Sequence, residues 1–77
     1  MQKLGAVRQR DVEAVLIRLG WRYDRTVGSH HQWIREGQPG IVTVKEQREP
    51  IHDETLSLML RQMGITKARF AELLRGR

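Results

Sequence analysis

The stretch Gly28-Ser29-His30-His31 lies between two runs of residues that are typical of strands, and it decides how the middle of the chain folds. Glycine has the φ freedom that a tight turn requires, and serine hydrogen-bonds the local backbone there. Residues 21–25 alternate aromatic with charged side chains, which is the period of a half-buried strand. Residues 26–29 therefore predict a turn, and His30–Arg35 predicts a second strand that pairs antiparallel with the first.

A third strand is predicted after this hairpin. Residues 41–44 are all β-branched and give the strongest strand signal in the chain. Residues 36–40, with two glycines and a proline, predict the connection that leads to it. Side chains alternate along a strand, so the even-numbered residues of His30–Arg35 share one face and the odd-numbered residues share the other. His30 and His31 are therefore expected to point to opposite sides of the sheet.

Helices are predicted before and after the three strands in the sequence. Apolar residues recur at i, i+3, i+4 and i+7 within residues 8–19 and again within residues 54–63. Asp53 is the predicted N-cap of the second helix, and Thr66 is that of a shorter third helix, Lys67–Leu74. The predicted buried faces are Val12, Val15, Leu16 and Leu19, then Leu56, Met59, Leu60 and Met63, then Phe70, Leu73 and Leu74. The predicted outward residues of the first helix are Arg8, Arg10, Glu13 and Arg18.

The order of these elements indicates the fold class. Helices with a single apolar stripe cover one face of a sheet and leave its other face to water or a ligand. We therefore expect an α+β domain with a three-stranded antiparallel sheet, helices on one face and a short extra C-terminal helix. At 77 residues, the whole of 1–77 is expected to be one domain. Residues 1–7 are expected to be irregular. The aromatic residues Trp21, Tyr23 and Trp33 are expected to lie in the core, and stacking on nucleic-acid bases is their alternative role.

The charge of the chain limits its partners. Lys and Arg number 14 against 9 Asp and Glu, which gives a formal net charge of +5, and eleven of the cations are arginine. A small basic domain attracts polyanions, of which nucleic acid is the commonest in a cytoplasm, and arginine suits bidentate contact with phosphate. A solvated arginine-rich surface or an acidic protein partner would explain the same composition.

Other classes of protein are excluded by composition. The chain has no cysteine, and therefore no disulfide framework and no thiolate metal site. No apolar run approaches the roughly 20 residues of a membrane span, and residues 1–10 lack the apolar middle of a signal peptide. We therefore expect a cytoplasmic protein. A zinc site built from His30, His31 and His52 has no ligand spacing to support it.

Histidine exchanges protons near neutral pH, so the three histidines are the candidate catalytic groups. His31 shares a strand face with Trp33, which favours a packed or hydrogen-bonded structural role, with catalysis as the alternative. His52 is expected to be an exposed loop residue.

From about Val7 to Leu74 the chain resembles the HicA (YcfA-like) toxin family. The motifs that carry the resemblance are Gly20-Trp21 after an amphipathic helix, Gly28-Ser29-His30-His31, Val42-Thr43-Val44, and Thr55-Leu56 opening a helix that ends Met63-Gly64-Ile65-Thr66. The resemblance implies an α-β-β-β-α fold like that of the double-stranded-RNA-binding domain. It also implies an endoribonuclease toxin that cleaves mRNA without the ribosome. Such a toxin is monomeric alone and forms a larger assembly with the HicB-type antitoxin that neutralises it.

Site residues follow from the same resemblance. The histidine directly after Gly28-Ser29 matches the family's catalytic position, so His30 is the expected general acid or base, with no metal and no cofactor. Many relatives place a proline and a second histidine after the third strand, where this chain has Lys45-Glu46-Gln47, so the second proton-transfer group stays unassigned. The candidate phosphate-binding residues are Ser29, Gly28, Arg25, Lys45 and Arg22.

Two other functions are compatible with the same fold and charge. A non-catalytic RNA-binding module would bind RNA with steep salt dependence and never cut it. A partner-docking domain would bind an acidic protein tightly and RNA weakly.

Overall fold

The computed structural model describes residues 5–76 of the chain. Three strands form one antiparallel sheet in the order β1-β2-β3, and three helices accompany it. This confirms the predicted α+β architecture, with helix, three strands, helix and a short extra C-terminal helix. The elements are α1 Gln9–Arg18, β1 Arg22–Val27, β2 His30–Arg35, β3 Gln38–Lys45, α2 Asp53–Met63 and α3 Lys67–Leu74.

The helix ends differ from the prediction at one cap. The residue that caps α2 is His52 rather than Asp53, which lies within the first helical turn. A carboxylate in that turn is stabilised by the helix dipole without capping it, which is why the sequence signal was misplaced by one residue. The cap of α3 is confirmed, because the backbone N–H of Arg69 donates to the hydroxyl oxygen of Thr66 at 3.1 Å. No helix among residues 5–76 is long and apolar enough to cross a membrane.

The predicted bounds of β2 are confirmed, whereas β1 and β3 are longer than predicted. β1 continues to Val27, so the turn shrinks to Gly28-Ser29, and Gly28 has a φ of 63° that glycine adopts at little cost. β3 begins at Gln38, and the connection predicted over residues 36–40 is therefore too long. Pro39 is tolerated in β3 because this strand lies at the edge of the sheet, where a missing N–H need not interrupt a ladder.

One face of the sheet carries the core. Trp33, Val42 and Val44 are buried on this face, and α1 and α2 pack against β3 there. Tyr23 is 49 % exposed, so its predicted place in the core is wrong. It shares the inner face with Trp33, but the helices lie chiefly over β3 and leave β1 uncovered. The predicted helix faces are confirmed, with these residues buried: Val12, Val15, Leu16, Leu56, Met59, Leu60, Met63, Phe70 and Leu73, while Leu19 and Leu74 pack at the margin.

The segment before α1 is ordered by long-range contacts. Val7 is only 2 % exposed, and its carbonyl accepts a hydrogen bond from the N–H of Ile51 at 2.7 Å. Residues 5–7 have no regular secondary structure, as expected, although Val7 is held in place by these contacts, and residues 1–4 lie outside the described part of the chain. This contact brings the start of α1 beside the segment that follows β3, where Arg8 donates a hydrogen bond to the carbonyl of Arg48.

Candidate functional site

Three segments meet at one end of the sheet: the β1–β2 turn, the end of β3 and the first turns of α1. The backbone N–H of Glu46 donates to the carbonyl of Ser29 at 2.7 Å, which ties the turn to the segment after β3. Around Gly28 the space is open, with no atom within 4 Å of the position that a Cβ would occupy. A ligand can therefore approach the turn backbone closely.

His30 is exposed at the beginning of β2. It pairs with Val27 on one side and with Lys45 on the other. Directly opposed side chains share a face of the sheet, with Cβ atoms about 5 Å apart. Among residues 5–76 no side chain or backbone group hydrogen-bonds or ion-pairs with the His30 imidazole. The ring is therefore free for a ligand and belongs to the residue that pairs with Lys45.

Two arginines of β1 point to the same open face. Arg25 pairs with Gln32, which is two residues along β2 from His30 and therefore one row of same-face side chains away. Its guanidinium Nε donates to the Asp24 carboxylate at 3.1 Å, and its side chain is 69 % exposed. Arg22 pairs with Ile34, four residues along β2 from His30, or about 13 Å at the rise of a strand. The structure thus brings Arg25 close to the histidine and leaves Arg22 two rows away.

His31 points to the opposite face, as the strand period predicts. Its Nδ1 lies 2.7 Å from Glu13 Oε2 and 3.4 Å from Gln9 Nε2, and its Nε2 lies 3.0 Å from Glu46 Oε2. The Tyr23 ring lies edge-on to the imidazole, with the ring centroids 5.9 Å apart. Only 19 % of the side chain is exposed. The packed, hydrogen-bonded environment expected for His31 is therefore confirmed.

Glu13 was predicted to face outward, and that prediction is wrong. Its carboxylate accepts from His31, from Trp33 Nε1 at 3.1 Å and from Gln9 Nε2 at 3.2 Å, and its side chain is only 18 % exposed. The residue lies at the border of the α1 apolar stripe, where the helix turns toward β2. The periodicity of α1 alone carries no signal for this role, because two of the three donors, His31 and Trp33, come from β2.

The two carboxylates change the titration of His31. The hydrogen bond to Glu46 contributes most to raising the pKa of His31 above 6.5, burial works against it, and the hydrogen bond and charge of Glu13 raise it further. The imidazole of His31 therefore binds its proton more tightly in the folded protein than in the unfolded chain.

This raised pKa predicts a pH dependence of stability. The extra stabilisation is fully present below the unfolded pKa of 6.5 and is lost as the pH rises through the folded value. We expect the urea midpoint to fall as the pH rises above about 6.5 and through the raised folded pKa of His31, and we expect His31→Gln to flatten that fall. A fall of equal size in His31→Gln would assign it to another group.

The remaining histidine, His52, is the N-cap of α2 and takes no part in the hydrogen bonds described above. His52 is exposed and caps α2, as expected for a loop residue. Within residues 5–76, no three His, Cys, Asp or Glu side chains are grouped so that they could hold a metal ion.

Comparison with known proteins gives one family. The model of the family described as HicA toxin of bacterial toxin-antitoxin matches residues 9–65, well over half of the chain. The match runs from the start of α1 past the end of α2 and includes the turn, both adjacent histidines and Glu13. No curated protein matches the chain.

Proposed function

Because the chain belongs to the HicA toxin family of bacterial toxin–antitoxin systems, we propose that it is an endoribonuclease that cleaves mRNA with His30 as general acid or base. An antitoxin is the partner that such a system provides, and we propose one of the HicB type. The family match supports the toxin role, and the exposed histidine and the basic charge of the chain support the activity.

RNA carries its own nucleophile, so no side chain of the protein has to attack the phosphorus. The 2′-hydroxyl attacks the adjacent phosphorus, the bond to the 5′-oxygen breaks, and a 2′,3′-cyclic phosphate and a 5′-hydroxyl result. A base must take the 2′ proton, an acid must protonate the 5′-oxygen, and donors must stabilise the charge on the phosphorane. Imidazole serves the first role when neutral and the second when protonated.

The observation that carries the assignment is the difference between the adjacent histidines. Both nitrogens of His31 lie within hydrogen-bond distance of carboxylates, so that ring cannot contact RNA through either nitrogen without breaking one of these contacts. The ring of His30 has no partner among the described residues and lies across from Lys45 on the open face. His30 is therefore the group that can reach a 2′-hydroxyl or a 5′-oxygen.

The other proposed site residues surround this ring. Lys45 and Arg25 supply positive charge on the same face, and Ser29 with the backbone at Gly28 supplies donors at the turn. Arg22 would contact a nucleotide farther along the strand, because it lies two rows away. We propose that these groups hold the phosphates on either side of the bond that breaks.

The proposal is tested by incubating the purified protein with a long single-stranded RNA in excess EDTA. We expect cleavage that leaves 5′-hydroxyl ends, and none of a matched 2′-O-methyl RNA, which lacks the nucleophile. Binding of both RNAs without cleavage would favour a non-catalytic RNA-binding module. Absence of binding to either RNA would favour a domain that docks an acidic protein.

A further inference from the structure

A cleft of about 560 Å³ opens at the start of α1, on the side of the molecule where His31 lies. Arginine side chains line this cleft from two separate segments, namely the start of α1 and the segment that follows β3. We call it the arginine cleft, and its lining residues are Arg8, Gln9, Arg10, Glu13, Gln47 and Arg48.

The charge of the arginine cleft is strongly positive. Arg8 donates to the Arg48 carbonyl, which fixes one guanidinium against the wall. The guanidinium groups of Arg10 and Arg48 have no hydrogen-bond or ion-pair partner in the described part of the chain. Both oxygens of Glu13, the one carboxylate in the lining, already accept hydrogen bonds. Two unpaired guanidinium groups are therefore available to bind an anion.

The arginine cleft is physically connected to the Gly28-Ser29 turn. Its lining residue Glu13 bonds the ring of His31, and Ser29 accepts from the backbone of Glu46, two residues before Arg48. Arg48 lies three residues beyond Lys45, so their Cα atoms are separated by at most about 11 Å. A nucleic-acid strand that joins the two sites would pass from the open face at His30 around the end of β3 to the side where His31 and the cleft lie.

We propose that the arginine cleft binds a backbone phosphate of the RNA that flanks the phosphate reacting at His30. The proposal rests on the proposed function, whose substrate it locates on the protein. Guanidinium groups match the geometry of phosphate oxygens bidentately. This binding would place the RNA in register with the turn.

The test uses a charge-matched pair of double variants. Arg10→Gln/Arg48→Gln removes the two unpaired guanidiniums of the cleft. Arg61→Gln/Lys67→Gln removes two exposed cations on α2 and α3 that do not line it and that have no partner within residues 5–76. The probe is a labelled single-stranded 2′-O-methyl RNA, whose affinity is measured by fluorescence anisotropy over a range of KCl concentrations.

The cleft variant is expected to bind about tenfold more weakly than the wild type. Its slope of log K against log salt should fall by about 0.7 for each phosphate that it no longer neutralises. The control variant should keep the wild-type slope within half of that change. Equal slopes in the two double variants would overturn the proposal, and that is the result expected if the cleft instead serves an acidic protein.

Cleavage of unmodified RNA, measured in parallel, separates this proposal from the proposed function. If the wild type cuts RNA while the cleft and control variants bind alike, the phosphate subsite is wrong and the ribonuclease stands. If the wild type binds without cutting and the slope falls only in the cleft variant, the subsite stands and the catalytic assignment is wrong. If the wild type binds no RNA, both are wrong.

Discussion

Replacing His30 with alanine should slow RNA cleavage by about 10²- to 10⁴-fold, the range that a positioned acid or base contributes. The side chain is exposed and makes no hydrogen bond within residues 5–76, so its removal should change the free energy of unfolding by less than about 0.5 kcal/mol. RNA binding should persist, because Lys45 and Arg25 remain. The measurement is a single-turnover cleavage rate in EDTA, with thermal unfolding of the same preparation.

His52→Ala is the matched control for this substitution. It removes another exposed histidine, at the cap of α2, and leaves the site intact, so we expect the wild-type rate. Wild-type cleavage by His30→Ala would refute the assignment and direct attention to His31. That residue needs its own comparison, since loss of its two carboxylate bonds should lower the melting temperature as well as any rate.

The fold was predictable where burial follows a local period. The stripes of α1 and α2 were confirmed because a helix that covers a sheet must place apolar residues on one side. The opposite orientation of His30 and His31 was also confirmed, because β2 keeps its register from His30 to Gln32 against both neighbours. A period of two leaves no other arrangement in a regular strand.

The prediction failed where a residue's environment is made by distant parts of the chain. The position of Tyr23 depends on where the helices lie over the sheet, and they cover β3 rather than β1. The register of β1 shifts between Tyr23 and Arg25, and no residue type marks that irregularity. Val7 is buried by its pairing with Ile51, a contact that no pattern within residues 1–7 announces.

The candidate site likewise has some features that the sequence predicted and others that it did not. Gly28-Ser29-His30 was recognisable because a turn and its resemblance to a family are local properties of the sequence. The bonds of Glu13 and Glu46 to His31 were not, since they join α1, β2 and the segment after β3. The arginine cleft was missed for the same reason: its cations are distant in sequence and converge only in the fold.

Replacing Glu13 with alanine should destabilise the protein by about 2–4 kcal/mol, because three donors lose one acceptor. Trp33 is nearly buried, so its indole N–H would be left without a partner in an apolar surrounding. His31 would lose the carboxylate at its Nδ1 and keep its contacts with Glu46 and Gln9. For a domain of this size, the melting temperature should fall by about 10–20 °C.

Glu72→Ala supplies the comparison for this last substitution. Glu72 bonds Arg69 at 3.2 Å on the exposed side of α3, and an exposed pair of this kind contributes less than about 1 kcal/mol. A double-mutant cycle of Glu13→Ala with His31→Ala then isolates the bond between them, for which we expect a coupling of about 1–2 kcal/mol. If Glu13→Ala costs no more than Glu72→Ala, the carboxylate does not hold α1 to β2. The separation of a structural His31 from a reactive His30 would then lose its basis.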